Sequence, residues 1–445
     1  MNNSFYHVKL TSRDTIKIMV FTSVVSNIKQ FLFVKDGEIE CTLKPNKTTS
    51  LNHMSLYEIK LKEPLEFGHS YEIYIPDFGL SPVDVNCAST FDDFDDEFYY
   101  NGDDLGARYS KKGTHFAIWA PLASDCSLVL YLDDEEEVIK MKRSAKGVYR
   151  LYVEGDLANV EYKYSITNSG VTHLVNDPYG FGTSCNSLRS AVVDLASIDK
   201  KYPKVKYKFQ KPLVEASIYE LHIRDFTIDE HTNIKEKGKY LGLIEEGRKT
   251  SGGNPAGFDY LKYLGISHVQ LLPVHDYANV DDIDFKKTYN WGYDTIHYFS
   301  LEGSYSSNPK DPSMRIKEFK QVVNAFHKNN IGVIMDVVYN HIFSYETHDF
   351  DKIVPNYFFR RNKDGKISSS SGCGDDIASE RKMVRKLIID SLCYFVKYYD
   401  VDGFRFDLMG LLDIETMHQA KKAVESIKKD VIFYGARSAS RATTH

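Results

Sequence analysis

From about residue 214 onward the sequence repeats one grammar: a short, nearly apolar run, a polar break, a stretch of helical period, then another apolar run. The apolar runs are ASIYELHIRDF (216–226), HVQLLPV (268–274), VIMDVVYNH (333–341), GFRFDLMG (403–410) and VIFYG (431–435). Between them, FDYLKYLG (258–265) places Phe258, Leu261 and Leu264 on one face, with Gly265 as a stop. MRIKEFKQVVNAFHKNNIG (314–332) is striped by Ile316, Phe319, Val322, Val323 and Phe326. Ser379 is placed to cap a helix carrying Val384, Leu387, Ile388, Ser391, Phe395 and Tyr398, and Met417, Ala420, Val424 and Ile427 mark one more. A run apolar on both sides is covered on both faces, which requires a parallel sheet under helices. Repeated β-α units with polar residues at strand ends are the pattern of a (β/α)₈ barrel. Five strands are readable, so residues 214–435 are expected to form a partial TIM barrel, about five of eight strands.

The preceding chain is written differently. Residues 1–90 alternate apolar and polar positions in short runs broken by Asn, Gly and Pro, as in HVKLTSRDTIKIMVF and YEIKLKEPLEFGHSYEIYIPDFG, and predict an accessory β domain. FDDFDDEFYYNGDD (91–104) reads as a solvated acidic connector. HFAIWAP (115–121), CSLVLYL (126–132), EEVIKMK (136–142), GVYRLYV (147–153) and VEYKYSI (160–166) are evenly spaced strands, and VNDPYGFG (175–182) closes them. They predict a second β-sandwich module over residues 91–200. The expected chain is therefore multidomain: two N-terminal β-sandwich modules, an incomplete TIM (β/α)₈ barrel, and an atypical tail, ARSASRATTH (436–445).

The formal net charge of −6 and the lack of a basic stripe argue against nucleic acid as partner. No apolar run approaches the ~18–20 residues of a membrane span, and MNNSFYHVKLTSRD lacks the basic-then-apolar pattern of a signal peptide. The six cysteines are scattered without a C-x-x-C pair, so neither a zinc site nor a disulfide framework is indicated. A reduced, cytoplasmic protein is expected. Aromatic content is 13%, with 31 Tyr against 2 Trp. Tyrosine suits sugar rings, since its face stacks on C–H groups while its phenol hydrogen-bonds.

Two strand ends carry chemistry. In DVVYNH, Asp336 lies inside an apolar strand, with Asn340 and His341 just beyond it. In GFRFDLMG, Arg405 and Asp407 are two apart and project to one face. Charges on the inner face of an apolar strand are costly unless paired or functional. One such stretch fits a structural ion pair; two, one helix-strand unit apart, point to a site.

DVVYNH and GFRFDLMG resemble the first and second signature stretches of the α-amylase superfamily, glycoside hydrolase family thirteen, and YNWGYD (289–294) resembles the hallmark of its α-1,6 debranching members, the type I pullulanases. YELHIRDF, LEGSYSSNP (301–309) and SGCGDDIASERKMVRKLIIDS (371–391) agree, and LGARYSKKGTHFAIWAPLASDCSLVLY (105–131) resembles the glucan-binding sandwich that precedes the barrel in that family. The resemblance implies Asp407 as nucleophile and Arg405 as the cation that holds it. It implies Asp336 and His341 hydrogen-bonding the sugar, Asn340 supporting their loop at the substrate site, Tyr293 stacking beneath the sugar and Trp291 shaping the branch-point pocket. Asp375 stands where many relatives have Asn. The family's general acid is a glutamate in a stretch like YGEGW; here Ala436 follows Tyr434-Gly435, so the acid is absent and the third signature stretch reads as interrupted.

The implied function is retaining hydrolysis of α-1,6 branch links in pullulan, glycogen or starch, with little or no activity in the chain as written. The alternatives are a non-catalytic α-glucan-binding protein and a branching enzyme or isoamylase, the last disfavoured by YNWGYD. The expected partner is a branched α-glucan. No cofactor is expected: calcium, held by many members of the superfamily, has no D-x-D-x-D-G loop to receive it here.

Overall fold

The computed structural model describes residues 6–21, 28–76, 78–133 and 135–436. Strict alternation in Tyr6–Ser12 and Thr15–Phe21 buries Tyr6, Val8 and Leu10 against Ile16, Ile18 and Val20. These strands belong to one hydrogen-bonded path of eight, ordered Glu38–Leu43, Phe31–Lys35, Tyr71–Ile75, Gly79–Asp84, Tyr6–Ser12, Thr15–Phe21, Met54–Lys60 and Lys47–Leu51. The path folds so that its inner faces meet. The Phe31 and Tyr57 rings lie 5.2 Å apart, and the buried Tyr6 hydroxyl donates to the Ile73 carbonyl at 2.6 Å.

The next unit has two sheets. Gly106–Ser110, Gly113–Trp119, Val148–Glu154 and Lys142–Arg143 form one. Asp125–Leu132 and Glu161–Asn168 are the centre of the other. Their apolar sides interleave, with Phe116 and Tyr162 5.1 Å apart.

The acidic connector is not the solvated segment its composition suggests. Phe94–Phe98 forms a short helix whose Phe94 and Phe98 are buried, Phe94 lying 6.3 Å from the Trp119 ring. Its carboxylates are tied to distant partners: Asp93 and Glu97 to Arg13, Asp96 to Lys382, and Asp95 to the Tyr357 hydroxyl. The segment thus wedges between all three β and β/α units.

The five apolar runs become parallel strands in chain order: Ile218–Leu221, His268–Leu271, Gly332–Val337, Gly403–Phe406 and Ile432–Gly435. The sheet curls, as right-handed strand twist requires. The Tyr434 hydroxyl on the fifth strand reaches across the concave side to Gln270 Oε1 on the second, at 2.5 Å, and Gln270 Nε2 donates to Glu220 on the first at 2.6 Å. Helices Phe258–Leu264, Met314–Lys328, Lys382–Tyr399 and Ile414–Ile427 turn their apolar stripes inward, except that Leu264 and Ile427 at the last positions of two of them are exposed, and Gly265 ends the first in the left-handed region at φ 68°.

Three local expectations are corrected. The first strand stops at Leu221 because His222 Nδ1 accepts from the Asp225 N–H and opens the helix Ile223–Ile228. The third stops at Val337, and His341–Ile342 pairs instead with Asp375–Asp376. Ser379 does not cap Lys382–Tyr399; its hydroxyl accepts from the Asp413 N–H at 3.0 Å and its carbonyl from Thr416 Oγ1, joining two helices. The tail reading falls on residues 437–445, outside the described residues.

Arg315, on the helix Met314–Lys328, is fully buried and fastens this unit to the sandwich. Its guanidinium donates to Thr183 Oγ1 and the Leu301 carbonyl at 2.9 Å and faces Asp276 and Asp282 at 3.4 and 3.3 Å. Asp282 and Asn186 exchange backbone-to-side-chain bonds at 3.0 and 2.8 Å. Glu302 is buried nearby, so three carboxylates face one cation; burial pushes all three upward, Asp282 to about 6.

Candidate active site

The C-terminal ends of the third and fourth parallel strands bring Asp336, Arg405 and Asp407 together. Asp336 and Arg405 are direct partners in the strand register, so both point to the concave side. Arg405 Nη1 donates to both oxygens of Asp336 at 2.9 Å and to Asp407 Oδ1 at 3.2 Å. Asp336 is 0% exposed. The Tyr293 hydroxyl donates to its Oδ2 at 2.8 Å. Arg405 therefore serves two carboxylates, and the buried Asp336 holds it more closely than Asp407 does.

Burial raises the Asp336 carboxyl to about 7, against the attraction of Arg405 and the Tyr293 hydrogen bond. Burial and the Asp336 charge push the Tyr293 phenol up. The desolvation that would lower the Arg405 guanidinium is outweighed by Asp336, Tyr293 and Asp407, and its net shift is upward.

Asp407 is fixed by backbone. Its N–H donates to the Val337 carbonyl at 3.0 Å, which carries the strand pairing one residue past Phe406. Leu408 then turns the chain sharply, at φ 41° and ψ 47°, in a region that a leucine occupies at a penalty of roughly 1–3 kcal/mol. The turn is held where Met409 N–H donates to the Ala436 carbonyl at 3.2 Å and Ala436 N–H to the Phe406 carbonyl at 3.0 Å. Ala436 thus stands beside the residue preceding Asp407, carrying a methyl group. A Cβ on Gly435 would collide with the Met409 side chain, so this close approach requires glycine.

Asn340 and His341 form a second buried pair. Asn340 Nδ2 meets His341 Nδ1 at 2.8 Å; with the amide donating, the ring proton sits on Nε2, which lies 3.6 Å from Cys373 Sγ. Burial lowers the His341 imidazole, opposed by Asp407, Asp294, Asp376 and the Tyr293 carbonyl. Trp291 does not join the hydrogen-bonded cluster; it is 60% exposed, beside the half-exposed Tyr289, whose hydroxyl donates to Asp225 at 2.6 Å. Asp375 accepts from the Tyr345 N–H at 2.8 Å and is occupied in its own loop.

Two residues to which the motif reading gave no role line the same region. Tyr434 is in register with Arg405 on the neighbouring strand, and burial with the Asp336 charge pushes its phenol up to about 12. Cys373 meets His341 through the loop 368–376, whose serines hydrogen-bond Asp376. The two-residue period of the fifth strand signals Tyr434; nothing local signals Cys373.

The arrangement offers a recessed carboxylate pair sharing one guanidinium, a phenol, an imidazole donor and exposed aromatic faces. Such a site can hold hydroxyl groups and present Asp407 to an electrophile. Family profiles match two parts of the chain: Carbohydrate-binding module 48 (Isoamylase N-terminal domain) over residues 104–180 and Alpha amylase, catalytic domain over residues 253–370. The chain is 43% identical over 343 residues to a pullulanase of Bacillus subtilis (strain 168), covering 77% of this chain and 47% of that one. It is 34% identical to the chloroplastic pullulanase 1 of Arabidopsis thaliana, covering 76% of this chain and 39% of the other. The crystal structure of a pullulanase from Anoxybacillus sp. LM18-11 complexed with maltotriose superposes with a TM-score of 0.90 at 39% identity, over 97% of this chain and 62% of that one. The chain spans about half the length, or less, of the curated relatives it matches.

Proposed function

The chain belongs to the pullulanases of the α-amylase superfamily, and on that premise we propose that its site is built for retaining hydrolysis of α-1,6-glucosidic links in a branched α-glucan such as pullulan, glycogen or starch. Asp407 is the nucleophile: it attacks the anomeric carbon and forms a covalent glycosyl-enzyme as the glycosidic oxygen leaves. Arg405 aims Asp407 through the 3.2 Å hydrogen bond. Asp336 and His341 Nε2–H bind the sugar hydroxyls, Asn340 fixes the His341 tautomer, Tyr293 lies beneath the ring, and Trp291 lines the approach of the branch.

The observation that carries this reading is the single Arg405 nitrogen shared by Asp336 and Asp407 at 2.9 and 3.2 Å. A guanidinium placed so holds two carboxylates together at one strand end, which a structural ion pair does not need.

Retaining glycosidases use a second carboxyl group to protonate the leaving oxygen and then activate water. The family resemblance assigns that place to Ala436, whose backbone bonds Phe406 and Met409. We therefore assign this chain weak or no turnover on pullulan, lower by about 10²–10⁴-fold for the acid alone. The same observation favours the second reading, an α-glucan-binding protein that retains its sandwich modules over 1–90 and 91–200 and a partial barrel over 214–435.

The test is maltotriose release from pullulan by the chain, by Ala436→Glu and by Asp407→Asn. The proposal expects near-background release by the chain, a gain in Ala436→Glu, and none in Asp407→Asn. Release that survives in Asp407→Asn would overturn the assignment of the nucleophile.

A further inference from the structure

The carbohydrate-binding module and the loops of the β/α unit enclose a cavity of about 330 Å³. One side carries Lys163, Leu174 and Asn176; the other carries His297, Tyr298 and His348. The lining also carries Lys163, Asp177, Asp349 and Lys352, two residues of each sign, with Lys352 paired to Asp349 at 3.0 Å. His297 and His348 are buried, and burial pushes each imidazole down to about 4, so both are neutral near pH 7. His348 is occupied: Nε2 bonds the Ile296 carbonyl at 2.9 Å and Nδ1 accepts from the Phe350 N–H at 3.2 Å.

Three further lining residues each carry one unpartnered atom. His297 Nε2, the Tyr298 hydroxyl and Asn176 Oδ1 are buried atoms without a hydrogen-bond partner among the described residues. Natural folds keep few such atoms. Three behind one cavity form a concentrated polar demand. Asn176 Oδ1 only accepts, whereas a phenol or a neutral imidazole pair can both donate and accept. A ligand that matches these three atoms carries groups that both donate and accept, as hydroxyls do. The mouth supplies apolar faces, with Leu188 65% and Leu174 49% exposed. The volume lies at the small end of ligand pockets, about 300–1,000 Å³.

We propose that this junction cavity is a second carbohydrate site, separate from the Asp336–Arg405–Asp407 centre, that takes one or two glucose units at the end of a neutral α-glucan. The choice of sugar rests on the glucan reading above; the cavity and its polar wall do not. Because both units contribute to the wall, a bound chain end fastens the module to the β/α unit.

Calorimetric titration of the full chain with maltose tests this, alongside Leu188→Trp, which closes the mouth from an exposed position, Asn176→Leu, which removes an unpartnered acceptor, and Trp291→Ala at the other site. Wild type and Trp291→Ala are expected to keep a maltose site that both junction variants weaken by about tenfold or more. Leu188→Trp decides if Asn176→Leu folds poorly. Binding lost only in Trp291→Ala, or no binding in any form, would overturn the proposal. Junction binding without turnover of pullulan by Ala436→Glu would sink the hydrolase reading and leave this one standing.

Discussion

Replacing Arg405 with methionine keeps most of the side-chain length and removes the cation shared by two carboxylates. Asp336 is fully buried and receives its Arg405 bonds at 2.9 Å. With Arg405 present, burial already holds its carboxyl at about 7, against about 3.9 for an aspartate in the unfolded chain. A raised carboxyl value means the folded state keeps a proton that the unfolded chain has released. Its contribution to stability is therefore full below about pH 4, is lost as pH rises to about 7, and is level above that. Without Arg405 the opposing attraction disappears, the folded value climbs above 7, and stability goes on falling in the alkaline range. The slope is up to about 1.4 kcal/mol per pH unit, or about 2.7 kcal/mol between ~pH 7 and ~pH 9. The assay is urea unfolding of wild type, Arg405→Met and Arg405→Met/Asp336→Asn across that window. The gap between wild type and the single variant should widen by about 1–3 kcal/mol, and the double variant should run parallel to wild type. A gap that stays constant with pH would refute the claim that Arg405 is what permits Asp336 to ionise.

Arg315→Met should leave Asp276, Asp282 and Glu302 buried without their cation and destabilise by about 3–5 kcal/mol, more at higher pH since all three carboxyls are raised; thermal melts on either side of neutrality measure this. Phe94→Ala should cost about 3–5 kcal/mol and expose the 91–104 segment to limited proteolysis, whereas a solvated connector would show neither effect. Tyr434→Phe should cost about 1–3 kcal/mol by leaving Gln270 Oε1 without its 2.5 Å donor, measured by denaturant midpoint.

These predictions separate what is local in the sequence from what is not. The helix Met314–Lys328 was legible because its apolar residues repeat at helical spacing, and the paired motifs DVVYNH and GFRFDLMG were legible because charge inside an apolar strand is conspicuous. Arg315 was not: it lies on that same helix and reads as surface, but its partners Thr183, Asp276 and Asp282 arrive from elsewhere in the chain. The connector misled for the same reason, since Asp93, Asp95, Asp96 and Glu97 are balanced by Arg13, Tyr357 and Lys382. At the site, strand alternation placed Arg405 and Asp407 correctly. It was silent on Asp336 taking the closer share of Arg405, because that depends on the register between two strands.

The account turns on Asp407 being a nucleophile held by Arg405, and one measurement isolates that step. An α-maltotriosyl fluoride carries a leaving group that departs without protonation, so attack by Asp407 does not require the general acid whose place the proposal gives to Ala436. Release of the sugar would still lack a general base, so the covalent intermediate should accumulate. Mass spectrometry of the chain after incubation with this compound should find one maltotriosyl group on the peptide containing Asp407 and none in Asp407→Asn. No adduct, or an adduct that persists in Asp407→Asn, would contradict the account.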